Sequence, residues 1–378
     1  MRGVTPATEH VPLAICSGRI LAEDIAADRD YPPFNRSVRD GFAVRSQDLP
    51  GTFQVIGEAR AGGMFDGMVG KGQAVEIMTG APVPEGADAV VMVEHCERHD
   101  DGTISTDRVL PSSTHIAPRG CEAESQSVVL VRGTRIDYPE ISWLATTGHA
   151  DVKVYAKPRV AIIATGDEIV EVNEVPADHQ IRNSNAWSLA AQVQRAGGVP
   201  VILPIARDSR EETRIQIELG LEADLFLLSG GVSAGKYDVV EPALAELGAE
   251  FFFDRVLIQP GQPLVFGRAR NKFFFGLPGN PASTMVTFEL FARAAIDLLS
   301  GSVDAPLPMT LARLTRPFRH RAGLTRFLPA HIDCTEVTPI DWQGSGDVPA
   351  ICRANAFLVA DPDKSQYEAG DLISVMPR

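Results

Sequence analysis

Asp224–Gly248 reads DLFLLSGGVSAGKYDVVEPALAELG, and its reading decides the fold. The apolar run Leu225 to Leu228 is short, with a charge before it and Ser229-Gly230-Gly231 after it, which marks a buried strand rather than a helix. Beyond a turn carrying Gly230, Gly231 and Gly235, the apolar positions Val239, Val240, Ala243, Leu244 and Leu247 recur at helical spacing and stop at Gly248. The unit is therefore strand, glycine-rich loop, helix. Free N–H groups at a helix start point outward and glycines let an anion approach them, so one reading of the loop is a phosphate site. The other is a tight turn, with Asp238 and Glu241 at capping-box spacing. Neither the nucleotide P-loop pattern nor GxGxxG is present.

Upstream, Val160 to Ala164 is a β-branched strand followed by Thr165-Gly-Asp-Glu168. Asn183-Ser-Asn185 caps a helix with Leu189, Ala190, Val193 and Ala196 on one face, closed by Gly197-Gly198. Val199 to Leu203 is the next strand; Arg207-Asp208 turns, and Ser209-x-x-Glu212 opens a helix to Glu222. The order β-α-β-α-β-α predicts a mostly parallel sheet covered by helices on both faces. Phe251 to Ile258, Leu264 to Gly267 and Phe273 to Leu277 continue it, and a helix from Ala282 to Leu299 closes it. Ligands bind such sheets beyond the carboxyl ends of the strands. Thr165 to Glu168, Arg207-Asp208, Ser229 to Asp238, Gln259 to Pro263 and Leu277 to Pro281 fall there.

The flanks read differently. Tyr31 to Arg45 is a proline-rich loop with a sharp turn at Asp40-Gly41, and short alternating segments from about Ser46 to Gly133 predict an all-β domain. Within it, Thr79-Gly80 follows a strand end directly and opens an irregular loop. Tyr138 to Thr146 reads as a helix and Val152 to Tyr155 as a crossing strand; from Ser302 onward short strands predict a small β-barrel or sandwich. A net charge of −14 argues against nucleic acid or an anionic membrane as partner. No apolar run approaches the roughly 20 residues of a membrane span, and the N-terminus lacks a signal-peptide plan. Five scattered cysteines, with no CxxC, fit a reducing cytoplasm and indicate neither a disulfide framework nor structural zinc.

Asp167, Glu168, Asp208 and Asp238 recur at one sheet edge beside glycine-rich amides. Each alone reads equally as a cap or turn residue; together they suggest Mg²⁺ bridging to a phosphate. Ser229 and Ser233 have no histidine in a nearby loop, so a hydrolase triad is not indicated. Pattern reasoning ends at a phosphate-bearing ligand, with Mg²⁺, on an α/β domain flanked by β domains.

The motifs SGGVSAGKYD, GLPGNPAS, ATGDE followed by IRNSN, PPFNRSVRDGFAVR and EIMTGAPVPEGADAVVM, in this order-spanning set, resemble the molybdopterin molybdenumtransferases, the MoeA-type proteins related to the C-terminal domain of gephyrin. The resemblance implies an elongated homodimer of four domains: a linking and dimerisation domain (1–46 and 134–156), a β domain (47–133), an α/β molybdopterin-binding domain (157–302) and a C-terminal β-barrel (303–378). It implies a cytoplasmic enzyme that takes adenylylated molybdopterin and molybdate, with Mg²⁺, releases AMP and leaves molybdenum on the dithiolene. Contacts with molybdopterin adenylyltransferase and with molybdoenzymes are further implications.

By motif, the resemblance assigns catalysis to Asp40, Thr79, Glu168, Asp208 and Asp238, with Glu168, Asp208 and Asp238 also holding the metal. Asp40 and Thr79 would serve the partner subunit's cleft. Ser229, Gly230, Gly231, Ser233, Gly235, Pro278, Gly279, Asn280 and Pro281 would hold the cofactor. A dianion such as molybdate also needs cations, for which Arg255, Arg326, Arg182 and Arg353 are candidates. Three departures stand out. Relatives often read KPGKP where this chain has Gln259-Pro-Gly-Gln262-Pro263; Arg36 and Arg39 add charge near Asp40; and the family's usual first helix is missing before Val11. Gln259 and Gln262 leave room for a non-catalytic binding or scaffolding relative, and tungstate is an oxyanion of the same shape.

Overall fold

The computed structural model describes residues 5–231 and 239–378; Ser233, Gly235 and Asp238 lie outside the described residues. The chain divides into two compact units. One holds the segment ending at Ala22, Gly133–Asp137 and Asp151–Arg378, and the other Glu23–Arg132 and Tyr138–Ala150.

The α/β part of the first unit is built from β1 (Arg159–Ala164), α1 (Ser184–Arg195), β2 (Val199–Ile202), α2 (Arg210–Gly220), β3 (Leu225–Ser229), α3 (Val240–Glu246), β4 (Glu250–Arg255), β5 (Pro263–Ala269) and β6 (Lys272–Leu277). The strand order is β2-β1-β3-β6-β5-β4. β2, β1, β3 and β6 run parallel, as expected for strands joined by helices, while the hairpins joining β4, β5 and β6 make those pairs antiparallel. β3 sits between β1 and β6 with all five residues buried, which is why its run is apolar throughout.

Alternation along these strands feeds two cores. Val160, Ile162, Leu225 and Leu227 pack with Leu189 and Val193 of α1 and with Phe288 and Ile296. Ala161, Ile163, Phe226 and Leu228 pack on the opposite face with Ile217, Ala243 and Leu244. Each large apolar side chain so buried contributes about 1.5–3 kcal/mol. The closing helix runs as Pro281–Thr287, a π-helical turn Phe288–Ala292 and Arg293–Leu299.

Helix starts follow the caps in the sequence. Asn183 accepts from the Ala186 amide at 3.2 Å, and Ser209 from the Glu212 amide at 3.2 Å. The reciprocal half of the Ser209 box is not made, because the Glu212 carboxylate instead accepts from the Arg207 amide at 3.1 Å. The strand expected over Phe251 to Ile258 ends at Arg255; Ile258–Gln259 leaves the sheet and pairs with Thr325–Arg326.

That pairing joins a C-terminal sheet of Thr310–Leu314, Thr325–Asp333, Glu336–Pro339, Ala356–Ala360 and Leu372–Pro377. Pairing of Thr325–Asp333 with Ala356–Ala360 closes these five strands into a barrel. The barrel alternative of the sequence reading therefore holds, and a helix at Val348–Arg353 was not foreseen. Thr8–Pro12 pairs antiparallel with Asp151–Tyr155 in the same unit.

The second unit centres on a six-stranded sheet ordered Ala89–Met92, Gly41–Val44, Gln73–Ile77, Gly51–Ala59, Thr103–Thr106 and Glu97–Arg98. Gly41–Val44 thus corrects the reading of Tyr31 to Arg45 as loop throughout: all four residues are buried between two neighbours, which turn signals on either side concealed. Val128–Leu130 pairs with Ile25–Ala26 and not with the six-stranded sheet. The helix Tyr138–Thr146 forms as expected. Among the described residues no helix is long and apolar enough to cross a membrane.

Candidate functional site

Beyond the carboxyl ends of the parallel strands lies a cavity of about 330 Å³. Ala164 and Thr165 at the end of β1, Glu168 and Ile169, Ile181 to Asn185 leading into α1, Ser229 and Gly230 at the end of β3, and Gly279 to Pro281 after β6 line it. Three of the five predicted loops meet here. The fourth, Arg207-Asp208, adjoins the first: the Asp208 amide donates to Asp167 Oδ1 at 3.1 Å, and the Asp167 amide to Asp208 Oδ2 at 3.4 Å. Glu168 is thus in the cavity wall and Asp208 in the neighbouring loop. Gln259 to Pro263 does not line the cavity; a Cβ on Gly261 would lie 2.4 Å from Thr287 Cγ2, so this loop packs against the closing helix.

The wall is stitched across elements. Asn185 Nδ2 donates to Ser229 Oγ at 2.9 Å and to the Gly279 carbonyl at 2.7 Å, joining α1 to the ends of β3 and β6. The Thr165 amide donates to the Ser229 carbonyl at 3.1 Å, and the Gly230 amide to the Leu277 carbonyl at 3.2 Å. Gly230 has φ +95°, and a Cβ there would stand 2.8 Å from the Thr165 carbonyl oxygen. Thr284 Oγ1 donates to the Pro278 carbonyl at 2.5 Å, fixing the turn before the closing helix. The N-termini of α1 and of the closing helix both border the cavity, where their dipoles favour an anion. Of the candidate cations Arg182 lines the cavity, its Nε donating to the Glu174 carbonyl at 3.0 Å. Arg255, Arg326 and Arg353 do not line it; Arg326 Nε donates to the Arg321 carbonyl at 3.1 Å within the barrel.

Thr165 and Asn185 were not singled out from sequence. The signal was there: Thr165 directly follows a predicted strand, and Asn185 is the second asparagine of a cap motif that needs only Asn183.

In the second unit, the sequence-picked pair meets directly. The Thr79 amide donates to Asp40 Oδ1 at 2.6 Å and the Thr79 hydroxyl to the same oxygen at 2.9 Å. These bonds, the amide's first, hold the Asp40 carboxyl below its ordinary pKa. Gly41 locks the strand behind it, since a Cβ there would fall 1.9 Å from the Val91 carbonyl oxygen. Arg36, read as charge added near Asp40, pairs with Glu122 at 2.5 Å.

A cavity over parallel strands, two helix starts and a glycine-lined wall define a phosphate-compatible α/β domain. Three family models match the chain in order: "MoeA N-terminal region (domain I and II)" over residues 2–148, "Probable molybdopterin binding domain" over 161–297 and "MoeA C-terminal region (domain IV)" over 311–377. The cavity-lining residues fall in the middle match. A molybdopterin molybdenumtransferase of Bacillus subtilis is 36% identical over 98% of this chain and 89% of its own length. One from Staphylococcus aureus is 35% identical over 94% and 88%. Two crystal structures of molybdopterin biosynthesis MoeA protein from Pyrococcus horikoshii align with TM-scores of 0.79 and 0.84, at 31% and 28% identity, over 99% and 98% of this chain and 95% and 94% of theirs. The chain belongs to the MoeA-type molybdopterin molybdenumtransferase family.

Proposed function

We propose that this protein inserts molybdate into adenylylated molybdopterin, releasing AMP, as a cytoplasmic homodimer in which Asp40 and Thr79 of one subunit serve the cavity of the other. The observation that carries the reading is the cavity of about 330 Å³ within the segment matching the molybdopterin-binding family, flanked in order by both MoeA regions. The chain's own groups would orient the ligand: the cavity wall encloses it, and Arg182 offers a guanidinium to its anionic part. Mg²⁺ would supply positive charge to the phosphoanhydride oxygens. Glu168 in the wall and Asp208 in the adjoining loop would be the carboxylates offered to that ion, which is commonly held by one or two carboxylates together with substrate phosphates; Asp238 is the third carboxylate of the motif set.

The test is AMP release from adenylylated molybdopterin by purified protein with Mg²⁺, with and without molybdate, comparing wild type with Glu168→Gln and Asp238→Ala. Molybdate-dependent release, lowered at least about 100-fold in either variant, supports insertion. Tight ligand binding without release under molybdate or tungstate would overturn it. That outcome would favour a binding or scaffolding relative, the reading to which the neutral Gln259 and Gln262 point.

A further inference from the structure

Two polar atoms at one corner of the cavity have no hydrogen-bond partner among the described residues: Thr165 Oγ1 and Asn185 Oδ1. Both residues line the cavity, and Thr165 is only 3% exposed. They flank Ser229, whose carbonyl accepts from the Thr165 amide and whose hydroxyl accepts from Asn185 Nδ2. Buried polar groups in folded proteins are nearly always paired, so two orphans on one cavity wall ask for a ligand.

The polarity of the Asn185 orphan is fixed. Its Nδ2 donates to the Gly279 carbonyl, which can only accept; turning the amide over would set oxygen against oxygen. The unpartnered group is therefore a carbonyl-type acceptor, buried in the cavity wall. It repels a phosphate oxyanion and matches a ring N–H or an exocyclic amine. Beside it, the Thr165 hydroxyl can donate to a ring carbonyl or nitrogen. Arg182, elsewhere on the wall, offers the opposite polarity.

We infer that the Thr165–Asn185–Ser229 corner recognises the N–H-bearing edge of a heterocycle and that the phosphate lies away from it, toward Arg182. The inference rests on the reading that the cavity holds the substrate proposed above. That substrate carries two such heterocycles, a pterin and an adenine, which share this chemistry.

Full-length protein would be titrated with 6-hydroxymethylpterin, followed by its own fluorescence, and calorimetrically with adenosine and with inorganic pyrophosphate. Thr165→Val keeps the shape and removes only the hydroxyl. Because that hydroxyl has no partner among the described residues, the variant should melt at or above the wild-type temperature, while binding of one heterocycle weakens about five- to tenfold and pyrophosphate changes less than about twofold. Whichever heterocycle responds names the occupant. Asn185→Ala should show the same selectivity, even if it also loosens the Gly279 turn. Wild type that binds a heterocycle while Thr165→Val leaves it unchanged, or weakens pyrophosphate instead, overturns the inference alone. Wild type that binds neither heterocycle overturns the substrate reading and the inference together.

Discussion

Gly230 and Gly279 line the same cavity, yet alanine should separate them sharply. At Gly230 the backbone has φ +95°, and a side chain in left-handed space costs about 1–2 kcal/mol. The new Cβ would also stand 2.8 Å from the Thr165 carbonyl oxygen and 3.2 Å from its hydroxyl. Neither neighbour yields easily: Thr165 is bonded to Ser229 across adjacent parallel strands, and Gly230 to Leu277 on the other side. Overpacking of this kind adds about 1–3 kcal/mol. A total near 3 kcal/mol corresponds to roughly 6–12 °C in melting temperature for a domain of this size. At Gly279 the added Cβ meets only the Gly230 Cα, at 3.7 Å, which is ordinary contact. Gly279→Ala should therefore melt within about 2 °C of wild type. Differential scanning calorimetry of both variants, with AMP release measured alongside, reads the contrast. Equal melting of Gly230→Ala and wild type, or an equal fall in both variants, would refute the packing argument.

The Asp40 carboxyl has a folded pKa held down by Thr79, so its contribution to stability is present above the unfolded value, about 3.9, and is lost as pH falls through the lower folded value. Thr79→Ala removes the hydroxyl donor and keeps the amide; carboxyl NMR titration should show Asp40 moving up toward 3.9 without reaching it, and an unmoved titration would mean the hydroxyl bond is not made in solution. Gln259→Lys with Gln262→Lys restores two ammonium groups to the loop that departs from the family pattern. If molybdate is met there, the molybdate concentration for half-maximal AMP release should drop about tenfold and become more salt-sensitive; no change would place oxyanion binding elsewhere.

The strand at Leu225–Ser229, the caps at Asn183 and Ser209, and the parallel order of the first strands were all legible, because short apolar runs, cap residues and alternation are local signals of burial and hydrogen bonding. Asp40 and Thr79 were each singled out by motif, but that they meet, through one shared oxygen, was not legible. The motif content carried the family.

Other features depended on contacts between distant residues. Gly41–Val44 hides as a strand because its evidence is two neighbouring strands rather than its own short pattern. Glu212 abandons its expected capping partner for the Arg207 amide, a choice set by how the β2 loop approaches α2. Gln259, placed by sequence at the cavity edge, pairs instead with Arg326 of the barrel. Asn185 acquires its role only when α1, β3 and β6 are side by side, for its two donors reach residues 44 and 94 positions away. Sequence by itself determined most of the elements, the sheet edge where the cavity lies and the family. Only the tertiary structure decided which loops share a wall and which buried polar atoms are left without a partner among the described residues, because hydrogen-bond satisfaction in a buried wall is a property of the assembled neighbours and not of any one segment.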